Sequence, residues 1–426
     1  MTDCFVHASD LHLDAPLKNL GQLDNETVDF LRKQARSAWS NLIDLTVDRA
    51  ASFLVLAGDL FDSAVAGHVA RREFTDGLKR LGEEGIDVFI VHGNHDPLTD
   101  DLRRRIGRLP DRTHVFDPGD PQTHEVGLRS GGVAYVSGVS FSTRHEPENL
   151  AVRFQSLDRP TGGPHVAVLH ANLGGDEDHD NYAPCSESDL AAAPVDYWAL
   201  GHIHLRSEPR RLAGGGWVAY SGNPQGRTSK TSECQPKGAL VVPIEDGVIG
   251  RPEFAPCDAV RFVHSRIELS DGAGIAETEA ALEQAATVTG HKAGGRPVVW
   301  FPHIVGRSPE PSTIREALDA FLSDENSLSG LLNRGGSANW TVDLQDAVSS
   351  DDLLAAGGLP AAVVTRLADG PAVQSTIQDI TKKLPGELVS GLITADDESY
   401  EVDDLHDEIV RLTETLLTSK LGNRDG

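Results

Sequence analysis

Short apolar runs alternate with longer stretches of helical period along the first 250 residues. Phe5-Val6-His7-Ala8 reads as a strand that gives way to Ser9-Asp10-Leu11-His12. Residues 24–51 carry Phe30, Leu31, Ala35, Ala38, Leu42 and Leu45 near helical spacing, which predicts one long helix. Phe53-Leu54-Val55-Leu56 predicts a strand that stops at Gly58-Asp59. A helix over 67–82 leads to a strand over Ile86–Val91 and on to Gly93-Asn94-His95-Asp96. Val133–Val136, His165–Leu169 and Tyr197–Leu200 are further strands, the last two ending at His170 and at Gly201-His202-Ile203-His204. These runs are apolar throughout rather than alternating, as expected of strands covered on both faces. Such sheets present ligand-binding side chains at the carboxyl ends of their strands.

The pattern changes beyond residue 260. Val263–Leu269, Pro297–Ile304 and Trp340–Leu344 read as strands, with helices over 274–286 and 312–323 between them. From Asp351 the chain is acidic and helical. Val373, Ile377, Ile380 and Leu384 form one narrow apolar stripe, and Leu405, Ile409, Leu412 and Leu416 form another. The expected division is therefore 1–260, 261–348 and 349–426. The two tail stripes need a partner surface, by default each other or the 261–348 unit.

Composition adds bounds. The 426 residues are 39% hydrophobic with 42 glycines, and no apolar run is long enough for a membrane span. Cys4, Cys185, Cys234 and Cys257 are far apart and form no CxxC. Together with an N-terminus that enters a strand directly, this gives the expectation of a reducing cytoplasm and no secretory leader. The net charge of −27 argues against non-specific binding of nucleic acid over the whole surface. It divides into −12 over residues 1–265 and −15 over the shorter remainder, so a polyanion would meet the N-terminal part. The densest basic run, Arg103-Arg104-Arg105 with Arg108 and Arg112, is a candidate DNA contact or a solvated helix face.

The chemistry lies in convergence. Five strand ends terminate in Asp, Asn or His: Asp10/His12, Asp59, Asn94/His95, His170 and His202/His204. A lone histidine would read as an ordinary core or surface residue; five such ends together point to one cleft. Oxygen and imidazole donors without thiolate suit manganese, iron or zinc. Asp10, His12, Asp59, Asn94, His170, His202 and His204 are too many for one tetrahedral ion. They suit two ions roughly 3.5–4 Å apart, which activate a water and hold a phosphoryl oxygen for in-line attack.

In identity and order these segments resemble the calcineurin-like metallophosphoesterases. His7–Asp14, Gly58-Asp59-Leu60-Phe61-Asp62 and Gly201–His204 are similar to the SbcD-type DNA-repair exonucleases. Val91–Pro97, His179–Cys185 and Pro224-Gln225-Gly226-Arg227 are most similar to the bacterial YhaO branch. The resemblance implies a β-sandwich flanked by helices in four α/β/β/α layers, with a small α/β cap over the active site and a C-terminal helical segment. It implies that Asp10, His12 and His204 hold one metal, that Asn94, His170 and His202 hold the other, and that Asp59 bridges both. The ions would be manganese, with iron or zinc as alternatives. His95 would stay off the metals as the catalytic side chain at the phosphate, oriented by Asp96. The resemblance further implies DNA as substrate, exonucleolytic end processing in double-strand break repair, and a coiled-coil SMC-like ATPase docked on the C-terminal helices. Homodimerisation through the 24–51 helix is a further expectation.

Two positions depart from many relatives. Asp62 stands where archaeal and eukaryotic members often have histidine, although bacterial members also carry Asp. His92 replaces a Pro or Arg and reads first as a packed strand-end residue. His92, Asp62, Arg103, Arg104 and Arg227 are candidate phosphate or DNA contacts. Two other readings stand beside the nuclease: hydrolysis of a nucleotide, cyclic nucleotide or other non-DNA phosphoester, and a scaffold with a vestigial site.

Overall fold

The computed structural model describes residues 3–20, 23–62, 67–175, 181–234, 236–270, 272–308, 311–324 and 328–346. Both tail stripes, Val373–Leu384 and Leu405–Leu416, lie outside the described residues, as do His179 and Asp180. In chain order the strands of the first 256 residues are β1 (Asp3–Ala8), β2 (Phe53–Ala57), β3 (Asp87–Val91), β4 (Thr113–Val115), β5 (Gln122–Gly127), β6 (Val133–Gly138), β7 (His165–His170), β8 (Tyr197–Gly201), β9 (Arg210–Arg211), β10 (Trp217–Tyr220), β11 (Gly238–Glu245), β12 (Val248–Ile249) and β13 (Glu253–Pro256). They form two sheets. One has the order β12-β11-β1-β2-β3-β4, with β13 on β11; the other runs β5-β6-β7-β8-β10-β9. In the first, β1 to β4 are parallel and β11 runs antiparallel to β1. In the second, β6, β7, β8 and β10 are parallel and the edge strands β5 and β9 are antiparallel.

The helices of this region are α1 (Asn25–Ala35), α2 (Ser37–Asp48), α3 (His68–Glu83), α4 (Asp100–Ile106) and α5 (Glu187–Ala191). Strand period sorts the side chains into layers. Phe53, Val55, Phe89 and Val91 of the first sheet meet Val136, Val166, Val168 and Tyr197 of the second. Their alternates Leu54, Leu56, Val88 and Ile90 pack on Trp39, Leu42, Phe74 and Leu78 of α2 and α3. On the far side, Ala167, Leu169, Trp198 and Leu200 pack on Phe154 and Leu190. The result is the expected helix-sheet-sheet-helix layering. Each of these large side chains contributes about 1.5–3 kcal/mol by leaving water.

The single helix expected over 24–51 is two helices. Arg36 keeps helical dihedrals, but its N–H leaves the regular i−4 ladder and reaches Gln34 O, so α1 and α2 part there. One polar staple joins the sheets beneath the carboxyl edge. His7 on β1 is fully buried, with Nδ1 2.9 Å from the Tyr197 hydroxyl and Nε2 3.1 Å from Leu200 O. Burial lowers its pKa to about 3, so it sits there as the neutral ring.

The chain divides into two compact units that interleave in sequence. The first contains Met1–Ser265, Ala285–Pro302 and Ser323–Trp340; the second contains Arg266–Gln284, His303–Leu322 and Thr341–Gly426. The later elements are β14 (Arg261–Glu268), α6 (Ile275–Lys292), β15 (Val298–Ser308), α7 (Pro311–Ser323), β16 (Gly336–Ser337) and β17 (Thr341–Asp346). Within the first unit, Val299 and Trp300 pair parallel with β16, and Phe262, Val299 and Phe301 share a core with Leu17, Leu20, Val28 and Leu31. Within the second, His303–Ser308 pair parallel with β17. No helix among the described residues is long and apolar enough to cross a membrane.

Candidate metal centre

The parallel strands of both sheets end on one side of the sandwich. There β1 delivers Asp10 and His12, β2 delivers Asp59, β3 delivers Asn94 and His95, β7 ends in His170, and β8 leads to His202 and His204. The backbone at this edge is unusual. Asp10, His12, Asp59 and His202 all have positive φ, at 54°, 41°, 50° and 103°. Left-handed backbone is uncommon in non-glycine residues, and such conformations concentrate at functional sites. Two glycines make room for the convergence. A Cβ on Gly58, itself at φ 94°, would lie 2.3 Å from His170 Nδ1; one on Gly93 would lie 2.4 Å from Asp59 Oδ1.

Two groups of donors share Asp10, and a third joins His12, Asp62 and His95. In one, Asp10, His12 and His204 bring ligand atoms within 4.8 Å of one another. The Nε2 atoms of His12 and His204 face each other at 3.1 Å. In the other, Asp10, Asp59 and His170 satisfy the same limit, and Asn94 Oδ1 lies 3.0 Å from His170 Nε2. Asp10 belongs to both groups, and Asp59 reaches from the second toward the first. Its Oδ2 is 3.4 Å from His170 Nε2 and 3.8 Å from His12 Nε2, while its Oδ1 accepts the His95 amide at 2.9 Å. His202 enters differently: its amide donates to Asp10 Oδ1 at 3.1 Å, and its ring packs on those of His170 and Tyr182.

The electrostatics fit cations here. Asp10 and Asp59 are buried, and burial raises both pKa values; Asp96 adds to the effect at Asp59, which reaches about 7. Two desolvated carboxylates without a counter-charge hold protons instead. His12 is pushed down to about 3 by burial, and its buried Nδ1 makes no hydrogen bond of good geometry. At His204, burial works downward, but the Glu233 hydrogen bond and the Asp10 charge outweigh it and raise the pKa. Neutral imidazole, carboxylate and amide oxygens suit a borderline-hard divalent ion.

The remaining predicted residues sort clearly. His95 is half exposed, with Nδ1 3.1 Å from Asp62 O and 3.4 Å from Asp62 Oδ1. Asp62 Oδ1 lies 3.4 Å from His12 Nδ1 as well, and this neighbour holds the Asp62 carboxyl down to about 2. The carboxylate beside His95 is thus Asp62, and the expectation that Asp96 orients His95 is corrected. Asp96 is fully buried and points the other way, accepting from the amides of Leu60, Phe61 and Gly93 and lying 3.1 Å from His92 Nδ1. Four short contacts leave it no reach toward His95; it ties the β2 loop to the β3 loop.

His92 is packed under that loop with 1% exposure, which removes it from the candidate phosphate contacts. Arg227 is half buried and braces the backbone. Its guanidinium donates to Ala15 O at 2.7 Å and Leu11 O at 2.5 Å, clamping the loop that carries His12. Arg103 pairs with Asp117, Arg104 and Arg105 with Asp101, Arg108 with Asp111 and Arg112 with Asp87.

One residue of the site has no sequence signal. Glu233, on a short 3-10 turn (Thr231–Glu233), is 5% exposed and its Oε1 lies 2.6 Å from His204 Nδ1. Its Oε2 accepts from Asn223 Nδ2 and the Arg227 amide. An acid in a Thr-Ser-Glu-Cys stretch, 29 residues after its partner, belongs to no motif.

Comparison with known proteins agrees with this geometry. The family described as calcineurin-like phosphoesterase matches residues 5–206. The chain is 31% identical over 328 residues to the uncharacterized metallophosphoesterase YhaO of Bacillus subtilis, covering 75% of this chain and 78% of the relative. It is 24% identical over 286 residues to the DNA double-strand break repair protein Mre11 of Thermoplasma acidophilum, covering 61% and 69%. The corresponding protein of Methanopyrus kandleri is 24% identical over 290 residues, covering 62% and 59%.

Proposed function

The chain belongs to the calcineurin-like metallophosphoesterases, and on that premise we propose that it is a two-metal phosphodiesterase that cleaves DNA from ends. The observation that carries this reading is the position of Asp59, whose Oδ2 lies 3.8 Å from His12 Nε2 and 3.4 Å from His170 Nε2. Asp10, His12 and His204 would hold one divalent ion and Asn94, His170 and His202 the other, with Asp59 shared. Manganese is the ion proposed. When bound, such a pair lowers the pKa of an attacking water and neutralises charge on the phosphoryl group.

The protein's own groups do the rest. His95 is half exposed beside the donors, and because its Nδ1 faces Asp62, its Nε2 is the ring atom left for substrate. It hydrogen-bonds a phosphoryl oxygen and gives a proton to the departing sugar oxygen. Asp96 and His92 keep the β2 and β3 loops together, so that Asp59 and His95 keep their spacing. The DNA substrate is supported by relatives described as double-strand break repair proteins. An SMC-like ATPase is the proposed partner of the acidic C-terminal region.

The net charge of −27 favours one second reading, in which the same site acts on a nucleotide or another small phosphoester. Labelled linear DNA and a small phosphodiester, assayed side by side with manganese, separate the two. We expect DNA to be shortened from its ends and His95→Ala to abolish this. Turnover of the small ester alone would overturn the DNA reading. Co-purification of the ATPase with a chain lacking residues 349–426 would remove the tail as its docking site.

A further inference from the structure

The two groups of donors are backed by different chemistry. On the Asn94/His170 side the direct partner of the ring is neutral, His170 Nδ1 lying 2.9 Å from the carbonyl oxygen of Ala57, with the Asp96 carboxylate acting only through space. Behind the His12/His204 side stand carboxylates. Glu233 Oε1 is 2.6 Å from His204 Nδ1, and Asp62 Oδ1 is 3.4 Å from His12 Nδ1. Glu233 is also the better held of the two carboxylates. It is almost fully buried, while Asp62 is 42% exposed. Asn223 Nδ2 at 2.8 Å and the Arg227 amide at 3.1 Å fix its second oxygen.

Building on the two-metal reading above, we propose that Glu233 is a positioning residue for His204. It fixes the ring with Nδ1 as donor and Nε2 as free ligand atom, and so makes the Asp10/His12/His204 position bind its cation more tightly than the Asn94/His170 position. The physical reason is the direct hydrogen bond: a carboxylate behind a metal-ligating imidazole strengthens its basicity and orients it, an effect worth 10- to 100-fold in metal affinity. Buried polar partners on both Glu233 oxygens mean that this geometry exists before any ion arrives. Lys237 belongs to the same arrangement: its Nζ donates to the His204 carbonyl at 2.7 Å, and it fixes the backbone from which the ring projects.

The test is Mn(II) binding to the full-length chain by isothermal titration, for wild type, Glu233→Gln and Glu233→Asp, with circular dichroism to confirm folding. Wild type should show two classes of site. Glu233→Gln should weaken the tighter class by about 10- to 100-fold, leaving the weaker class in place. Glu233→Asp should recover part of the loss. An unchanged tight class, or equal weakening of both classes in a folded variant, would overturn the inference. A wild-type chain that binds no Mn(II) would sink the two-metal reading itself, which keeps the two failures distinct. A measurement without any variant covers the case in which Glu233→Gln does not fold. A crystal of wild type grown with one equivalent of Mn(II) should give anomalous density at Asp10, His12 and His204. Density at Asn94 and His170 instead, or equal density at both, would refute the assignment.

Discussion

The carboxyl edge of the sandwich and the basic helix α4 are both rich in charge, and they handle it in opposite ways. On α4 the arginines are exposed and have carboxylates one turn away or on the neighbouring loop. Such pairs are individually worth about 0–1 kcal/mol and can be exchanged freely with solvent or salt. At the carboxyl edge Asp10 and Asp59 are buried, four residues sit in left-handed backbone, and no arginine or lysine pairs with either carboxylate among the described residues. The surface run is complete as it stands, whereas the edge is arranged around charge that the polypeptide does not itself supply. Strain and unpaired charge, rather than charge density, distinguish a reactive site from a solvated face.

The sharpest way to break this contrast is Asp59→Ala. It should reduce manganese-dependent cleavage by at least about 10³-fold, or about 4 kcal/mol of barrier, in a chain that still folds by circular dichroism. Next comes pH. In the metal-free protein Asp59 titrates near 7, whereas in the unfolded chain it titrates near 4. Between those values the folded state binds this proton more tightly, so Asp59 detracts increasingly from stability as pH rises from about 4 to 7, and by a constant amount above. Asp59→Asn should therefore gain stability over wild type across that window, by an amount on the order of a few kcal/mol. Thermal melts at pH 5 and 7.5 in chelator check this, and saturating manganese should reverse the ranking at pH 7.5. A parallel pair of melting curves would show that the edge tolerates its charge unaided.

Gly93→Ala probes crowding instead of charge. A methyl 2.4 Å from Asp59 Oδ1 and 2.8 Å from the His170 ring displaces both. Manganese affinity should fall about 10- to 100-fold, because ligand orientation is lost while the ligands remain. The smallest effect belongs to α4. Arg103→Gln with Arg104→Gln should shift stability by no more than about 0.5 kcal/mol. It should leave the salt dependence of DNA binding unchanged. A slope lowered by about one per arginine would bring phosphates onto α4 and erase the distinction drawn above.

The same contrast explains what was legible in the sequence. Buried strands declare themselves as apolar runs ended by glycine, so β1, β2, β3, β7 and β8 and the donors at their ends could be read directly. The short edge strands β9 and β12 carry no such run; each has two residues. The break at Arg36 was hidden because its dihedrals remain helical and only a hydrogen bond changes. Orientation was the harder matter. Asp96 follows His95 directly, yet both lie in the bend beyond β3, where strand alternation no longer says which way a side chain points, and the partner of His95 comes from 33 residues earlier. Glu233 was invisible for the same reason in stronger form, since its role depends wholly on what tertiary folding brings beside it.

The place of β1 has a consequence for the order of manufacture. This first strand lies inside its sheet, flanked by β2 and by β11, and β11 begins at Gly238. A ribosome has therefore made more than half of the chain before the first strand can acquire its second neighbour. His204 and Glu233 emerge shortly before β11, long after Asp10, His12 and Asp59. Synthesis at about 5–20 residues per second leaves an interval of roughly ten seconds or more in which the N-terminal donors exist without their partners. A stalled or truncated product that ends before residue 204 keeps Asp10 and His12 but lacks His204, so that group of donors stays unfinished.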